Sequence, residues 1–447
     1  MRKKKSPERQ SHLDRIISNL WNHYGAISDS RMGPNHQYQL ADVVMTTLGS
    51  LFFQVPSMAE IQRRMQSETG TNNLKTLFKV GKIPAETQFR EILGNADREE
   101  IQEGIHQCIL YLERNGNWNR FRWKDGRYLV LIDATETHRS EKICCEHCLR
   151  FEHKDGRVDF AHRSLAAVLV HPDEKEVLPL MCEEIRNNDG TTKQDCEINA
   201  AKRLLPKLSK RYPHLEMVIV GDGLYSKAPM IELCNSLKLD YLFVAKPSDH
   251  TVLEEDISGL RKIDEVDTRK VVADDGSVSE IEFINGVHAT GASNLKSNWI
   301  RVRVTPGRAG KKSATYINSW VTSIKITSKF APQLPIAGRS RWKIENETFN
   351  ALKRNGYHLE HNYGHNNKNL PANLISLNML AFLIHQILYL IDDLFMAARD
   401  ATVIKRNLYE SMRLAVSMMV WPDWQTLFSY LAGFCEKLLV PSVLARE

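Results

Sequence analysis

The sequence predicts a mixed α/β fold in which a central sheet carries a β-rich insertion, with helical regions before and after it. Short apolar runs typical of buried strands occur in the middle of the chain, at 128–132, 165–170, 217–220 and 241–246. Apolar residues three and four positions apart, the pattern of an amphipathic helix, occur before residue 120 and after residue 370. The combination is typical of a sheet with helices packed against it.

Length and composition limit the class of protein. The chain has 447 residues, enough for roughly two or three domains with buried cores. A hydrophobic content of 42% and a charged content of 26% are ordinary for a soluble globular protein. The net charge of +6 favours a polyanionic partner without requiring one.

Eight cysteines in a chain of this length do not predict a disulfide scaffold, so we expect a reducing compartment. No apolar segment follows the basic start "MRKKKSPERQ", and we therefore expect no signal peptide. Polar residues interrupt the apolar run at 370–391, which predicts a buried helix rather than a membrane span.

The middle of the chain supplies the predicted core. The apolar run at 128–132 ends at Asp133, and the runs at 165–170 and 176–181, joined by "HPDEK", predict a hairpin. A helix is predicted over 197–212, where we expect Pro206 to kink or break it. The strand at 217–220 follows, with Asp222 just after its end. From 250 to 325 the pattern is again that of strands joined by polar turns, one of them at Asp-Asp-Gly.

The stretch "RSRWKIENETFNALKR" predicts a helix with two acids on different faces. On a helical wheel Glu345 shares a mostly apolar face with Ile344 and Phe349, whereas Glu347 lies on the other side with Lys343. An inward carboxylate needs a partner. Either Arg341, one turn earlier, pairs with Glu345, or Glu345 points into a site that holds a cation.

Three carboxylates stand out by position: Asp133 and Asp222 at strand ends, and Glu345 on the later helix. Sites in α/β sheets are usually built at the carboxyl ends of strands, although an aspartate there is also a common turn or helix cap. Three converging carboxylates would make an all-oxygen site suited to Mg²⁺ or Mn²⁺. Two such ions can promote phosphoryl transfer on a nucleic acid.

Three motifs, "LVLIDATET", "VIVGDGLYSKAP" and "RWKIENETFNALK" followed by "GYHLEHNYGH", carry a resemblance over about residues 38–390. In order and spacing the chain resembles the DDE transposases of the insertion-sequence-four superfamily. That resemblance implies a ribonuclease H-like mixed sheet with a β-rich insertion, flanked by N-terminal and C-terminal helical regions. The implied divisions are a helical DNA-end-binding region at 1–120, core at 121–249, insertion at 250–325, core with the catalytic helix at 326–390, and a helical region at 391–447.

The resemblance also implies function. Asp133, Asp222 and Glu345 would be the catalytic residues and would bind two Mg²⁺ or Mn²⁺ ions. The reaction would be metal-dependent cleavage at terminal inverted repeats followed by strand transfer to target DNA, by a homodimer in the synaptic complex. Such a protein would be cytoplasmic and nucleoid-associated. A retired transposase that only binds DNA, and a ribonuclease H-like nuclease without strand transfer, remain alternatives.

Two positions depart from the family's Y-R-E-K signature. Arg341 matches the arginine, which contacts DNA phosphate near the cut in this family. Gly338 stands where the tyrosine would be, and Lys353 lies one residue beyond the usual lysine position. The departures leave open whether excision passes through a hairpin.

Other residues are candidates for binding DNA or zinc. Arg308, Lys311 and Lys312 in the loop "GRAGKK" could lie along a DNA backbone or form a solvated hairpin tip. Trp320, like Trp299, could stack on a base or belong to the core. The last candidates form a possible zinc site, with ordinary reduced cysteines and surface histidines as the alternative. They are Cys145, Cys148, His153 and His162.

Overall fold

The computed structural model describes residues 11–27, 38–55, 60, 67–83, 85–186, 194–288, 295–307, 315–361 and 368–434. Its N-terminal part is helical, as predicted. The first helix buries Leu13, Ile16, Ile17 and Leu20, whose spacing of three and four residues puts them on one face. The helices are α1 (His12–Ala26), α2 (Leu40–Phe52), α3 (Glu68–Phe78), α4 (Glu86–Asn95) and α5 (Arg98–Arg114).

Ten strands form one mixed sheet within the described residues. The order across the sheet is β2-β3-β1-β5-β6-β10-β9-β8-β7, and β4 also pairs with β3. The strands are β1 (Tyr128–Ser140), β2 (Leu149–Glu152), β3 (Val158–Val170), β4 (Leu178–Ile185), β5 (Met217–Gly221), β6 (Asp240–Val244), β7 (Asp267–Val272), β8 (Val278–His288), β9 (Lys296–Thr305) and β10 (Tyr316–Thr322). The predicted mixed α/β fold with a β-rich insertion and flanking helices is confirmed.

The core strands are antiparallel on one side of β1 and parallel on the other. Strands β1, β3 and β4 are antiparallel neighbours, which confirms the predicted hairpin, whereas β1, β5 and β6 run parallel. Parallel neighbours need crossover connections, and two helices supply them: α6 (Glu197–Arg211) before β5 and α7 (Ala228–Ser236) before β6. The carboxyl end of β5 therefore lies beside the middle of β1.

Of the two outcomes predicted at Pro206, a kink or a break, the break is wrong, because helix α6 runs from Glu197 to Arg211 with the proline inside it. Its buried face, which includes Leu204, Leu205 and Leu208, packs against β3 and β4. Burial of that apolar face outweighs the backbone hydrogen bond that a proline cannot donate.

The β-rich insertion extends the core sheet. After α8 (Thr251–Arg261), strands β7 to β10 form antiparallel pairs, and β10 pairs with the core strand β6. The predicted turn between β7 and β8 contains Gly276, whose φ of 76° is in the left-handed region that glycine favours.

The C-terminal part is helical. Helices α9 (Gln333–Arg339) and α10 (Asn350–Arg354) flank a π-helix (Ile344–Phe349), and α11 (Leu370–Ile391), α12 (Asp393–Ala401), α13 (Lys405–Met418) and α14 (Trp424–Leu431) follow. By length and composition α11 could cross a membrane, but 83% of its most apolar stretch is buried inside the protein. It packs against α2, α4, α5 and β4, as the prediction of a buried helix requires.

Candidate functional site

Asp133 and Asp222 lie at the same level of two neighbouring parallel strands. The register pairs Leu131 with Val220, so the two aspartates each lie two residues beyond a paired position. Asp222 directly follows β5. The sequence predicts that the first strand ends at Asp133, but β1 continues to Ser140 and pairs with β3 along that length. The fold thus brings these two predicted site residues to the same level of neighbouring strands.

Asp133 is half-buried and has two polar partners. Its Oδ1 accepts a hydrogen bond from the backbone N–H of Ala134 at 2.9 Å, and its Oδ2 lies 3.2 Å from the Arg341 guanidinium. Burial and the nearby Glu197 carboxylate raise the pKa of Asp133 to about 6, against the opposite effect of Arg341. Asp222 raises that pKa further. Several acids therefore crowd around one partly buried carboxylate.

Glu197, which the sequence analysis did not single out, belongs to this cluster. It is the first residue of α6, accepts a hydrogen bond from the hydroxyl of Tyr225, and lies 3.6 Å from the Arg163 guanidinium. Burial and the charge of Asp222 raise its pKa. An acid in the first turn is also an ordinary way to stabilise a helix, so the sequence held no signal that separates the two roles.

Glu345 is exposed, contrary to the inward position predicted from the helical wheel. Among the described residues, its carboxylate has no hydrogen-bond or ion-pair partner. The π-helix that carries it packs against β1, the strand of Asp133. A π-turn is rare and frequently marks a functional site. Glu345 thus lies with its carboxylate exposed on the helix that packs against the strand of Asp133.

The wheel is wrong here because the backbone is not a regular α-helix. Hydrogen bonds from Arg341, Lys343 and Ile344 reach carbonyls three residues back, and the wider π-turn follows at once. A constant step of 100° does not hold across these changes. As a result Lys343, predicted to face solvent, is buried and donates hydrogen bonds to the carbonyls of His171 and Glu174.

Arg341 pairs with Asp133 and not with Glu345, the partner first considered from the sequence. The ion pair joins β1 to the helical segment that leads into the π-helix. Lys353 has a partner as well, Glu360, at 2.9 Å. Contacts of Arg341 and Lys353 with DNA stay predictions.

Trp320 cannot stack on a base in this structure, because its side chain is fully buried in β10; the same holds for Trp299 in β9. The prediction of a DNA-stacking tryptophan at 320 is therefore wrong, and the core alternative is correct. Tryptophan is apolar enough that a strand inside a sheet accommodates it readily. Arg308, Lys311 and Lys312 lie outside the described residues.

Three of the four zinc candidates come together. Cys145, Cys148 and His162 are the one group of three or more potential metal ligands, among the described residues, whose donor atoms all lie within 4.8 Å of one another. His153 does not join them, because its Nε2 lies 2.9 Å from the Asp159 carboxylate. The carboxylate oxygens around Asp133 do not form a group this close among the described residues. Mutual repulsion of carboxylates is expected to keep them farther apart.

A cavity of about 680 Å³ lies on the other side of the Glu345 helix. Glu347, predicted to be a surface acid, is half-buried and contributes to its wall. Most of the charged side chains in the wall are basic. They are Lys175, Arg354, Lys405, Arg406 and Arg413.

Comparisons with known proteins give a likeness in structure and none in sequence. No protein-family model matches the chain, and no curated protein matches it in sequence. The chain is similar to a solved structure described as a piggyBac transposase synaptic complex with hairpin DNA, with 12% identity and a TM-score of 0.35. The match covers 97% of this chain and 90% of that one. Similarity at this level assigns no activity.

Proposed function

We propose that this protein is a DNA transposase that cleaves at the inverted repeats of its element and joins the ends to target DNA. The observation that carries the proposal is the placement of Asp133 and Asp222 at one level of neighbouring parallel strands. Glu345 follows on a helix that packs against the strand of Asp133. Carboxylates in this arrangement are the hard oxygen ligands that Mg²⁺ and Mn²⁺ prefer.

In this proposal Asp133 and Asp222 hold two divalent ions, and Glu345 completes the ligands of the second ion. When bound, the ions activate the attacking oxygen and stabilise the leaving oxygen of a phosphodiester. Burial, together with repulsion from Glu197 and Asp222, raises the pKa of Asp133. A cation among the carboxylates would relieve the repulsion, which fits the proposed role. The chain's own contribution is to hold these oxygens in place.

Arg341 would change partners during the reaction. In this structure it neutralises Asp133. A cation at Asp133 would compete for the same oxygens and leave the guanidinium available to a DNA phosphate beside the site. Lys353 and the loop residues Arg308, Lys311 and Lys312 would add further phosphate contacts, each contributing salt-dependent affinity.

The partners are the terminal inverted repeats and target DNA, held by a homodimer because two DNA ends must be joined together. The protein would act in the cytoplasm in association with the nucleoid. Hairpin formation during excision is not part of the proposal.

A cleavage and joining assay tests the function. The purified chain, a donor plasmid with the element's own ends and Mg²⁺ are expected to give cut ends and then joined products. Asp133→Asn, Asp222→Asn and Glu345→Gln are expected to abolish both, and Glu347→Gln, two residues from Glu345 on the same helix, to retain them. Equal cleavage by the Asp133 variant and the parent would overturn the assignment.

The same assay separates the alternatives. Cut ends without joined products, in the presence of target DNA, would indicate a ribonuclease H-like nuclease. Specific binding of the ends without any cleavage, in Mg²⁺ or in Mn²⁺, would indicate a protein that only binds DNA. Either result contradicts the proposed transposase.

A further inference from the structure

Three donor atoms form a triangle near the C-terminal end of β1. They lie outside the acidic cluster of Asp133, Glu197 and Asp222. Cys145 Sγ and Cys148 Sγ are 3.6 Å apart, and His162 Nε2 lies 3.3 Å from the first and 3.5 Å from the second. The two cysteines belong to the loop between β1 and β2, and the histidine belongs to β3. Two thiol sulfurs and one imidazole nitrogen, from three positions of the chain, thus converge on one point.

The dimensions of the triangle match those of a zinc site. Zinc binds sulfur at about 2.3 Å and nitrogen at about 2.0–2.1 Å. In a tetrahedron these bonds place two sulfurs about 3.8 Å apart, and a sulfur and a nitrogen about 3.6 Å apart. Each observed edge is within a few tenths of an ångström of these values. A disulfide, in contrast, needs two sulfurs at about 2.05 Å.

The surroundings of the triangle are those of a metal ligand set. The backbone N–H of Cys145 donates to the sulfur of Cys148 at 3.3 Å, which stabilises negative charge on that sulfur. The Nδ1 atom of His162 lies 3.6 Å from Oε1 of the buried Glu184. A carboxylate behind a histidine orients the ring and makes the other nitrogen a better ligand.

Two arginines form ion pairs with Glu184. Arg98 and Arg186 lie 3.3 Å and 3.2 Å from its Oε2. The arginines thus balance the buried carboxylate on the oxygen that faces away from His162. Since Glu184 and His162 are only 4% and 2% exposed, this arrangement is fixed inside the protein.

We propose that Cys145, Cys148 and His162 bind a structural zinc ion that fastens the β1–β2 loop to β3. A water molecule or the neighbouring Cys144 thiol would complete the tetrahedron. His162 pairs with His138 of β1, five residues beyond Asp133, so the ion would fix the part of the sheet that continues from the acidic cluster. The proposal does not depend on the proposed transposase activity.

Metal analysis of the full chain tests the site. Protein purified without chelator is expected to contain one zinc ion per chain. His162→Ala and Cys145→Ser are expected to lose the ion. His153→Ala, which removes the neighbouring histidine that pairs with Asp159, and Cys234→Ala, which removes a buried cysteine of α7, are expected to keep it. Retention of zinc by the His162 and Cys145 variants would overturn the proposal.

Spectroscopy of the parent protein covers the case in which those variants do not fold. Co²⁺ exchanged into the site is expected to give the absorption of a tetrahedral thiolate complex, which Zn²⁺ then abolishes. Removal of zinc by a chelator is expected to lower the melting temperature, because binding energy at a structural site contributes to folding. Absence of both zinc and the cobalt absorption, or a Cys145–Cys148 disulfide in freshly purified protein, would contradict a zinc site.

Discussion

Gly338 lies directly against the indole ring of Trp320. A Cβ atom at position 338 would be 2.4 Å from the indole Nε1 and 2.5 Å from Cε2. The ring is fully buried in β10, so it has no room to move away. A larger side chain at 338 cannot be accommodated while Trp320 holds its place. Packing therefore accounts for the glycine at position 338.

Gly338→Ala is expected to destabilise the protein by about 1–3 kcal/mol, because the added methyl group overpacks the contact with Trp320. Chemical denaturation measures the free energy of unfolding. The matched control is Gly259→Ala on the exposed side of α8, where an added Cβ meets nothing within 4 Å. There the substitution should stabilise the helix slightly. Equal stability of the Gly338 variant and the parent would contradict the packing argument.

Asp133→Asn is expected to stabilise the protein at pH 8 and not at pH 4. The folded pKa of Asp133 is about 6, above its ordinary value of 3.8. The contribution of protonated Asp133 to the free energy of unfolding is therefore fully present below about pH 3.8. It is lost as the pH rises through about 6. Asparagine stays neutral and should gain about 1–3 kcal/mol at pH 8 over the parent.

Denaturation of both proteins across this pH range, in a chelator that removes divalent ions, measures the effect. Asp256→Asn, at an exposed position of α8, serves as the control for loss of one acid. A stability difference between the Asp133 variant and the parent that does not change with pH would contradict the raised pKa.

Lys343→Met is expected to cost about 1–3 kcal/mol, because it leaves the carbonyls of His171 and Glu174 without their donor. Burial lowers the pKa of Lys343, which shows that the charge itself is held at a cost. Lys353→Met, which removes a more exposed ion pair on the same helical segment, should change stability by less than about 1 kcal/mol. A larger loss for Lys353→Met than for Lys343→Met would reverse the expected order.

Glu197→Gln is expected to move the acidic limb of the cleavage profile to lower pH. The Glu197 carboxylate raises the pKa of Asp133, so its neutral replacement should lower that pKa. The pH dependence of kcat/KM reports ionisations of the free enzyme and is the appropriate measurement. Glu232→Gln, at an exposed position of α7, is the control. An unchanged profile would place Glu197 outside the site.

The sequence predicts the core strands because their signals are local. The apolar runs at β1, β5 and β6 and the hairpin of β3 and β4 are visible as short segments of β-prone residues. The meeting of Asp133 with Asp222 follows from the expectation that parallel strands end at one edge. Pairing of β10 with β6, by contrast, depends on residues far apart in the chain, and no local pattern specifies it.

The parts of the site that the sequence does not predict depend on three-dimensional packing. The predicted inward orientation of Glu345 is wrong because a π-turn interrupts the regular period on which a helical wheel relies. Glu197 was missed because its neighbours, Asp133 and Asp222, come from other elements. Of the two histidines near the CxxC pair, His162 contacts both sulfurs, whereas His153 contacts Asp159. The sequence alone does not distinguish them.

Metal rescue tests the central claim, that Asp133 and Asp222 bind the catalytic ions. Asp222→Cys replaces a hard oxygen with a soft sulfur, which Mn²⁺ accepts more readily than Mg²⁺. The variant is expected to cleave the element's end poorly in Mg²⁺ and to recover in Mn²⁺, whereas Asp222→Ala should remain inactive in both. Cleavage by Asp222→Cys in Mg²⁺ at the parent's rate would contradict metal binding by Asp222.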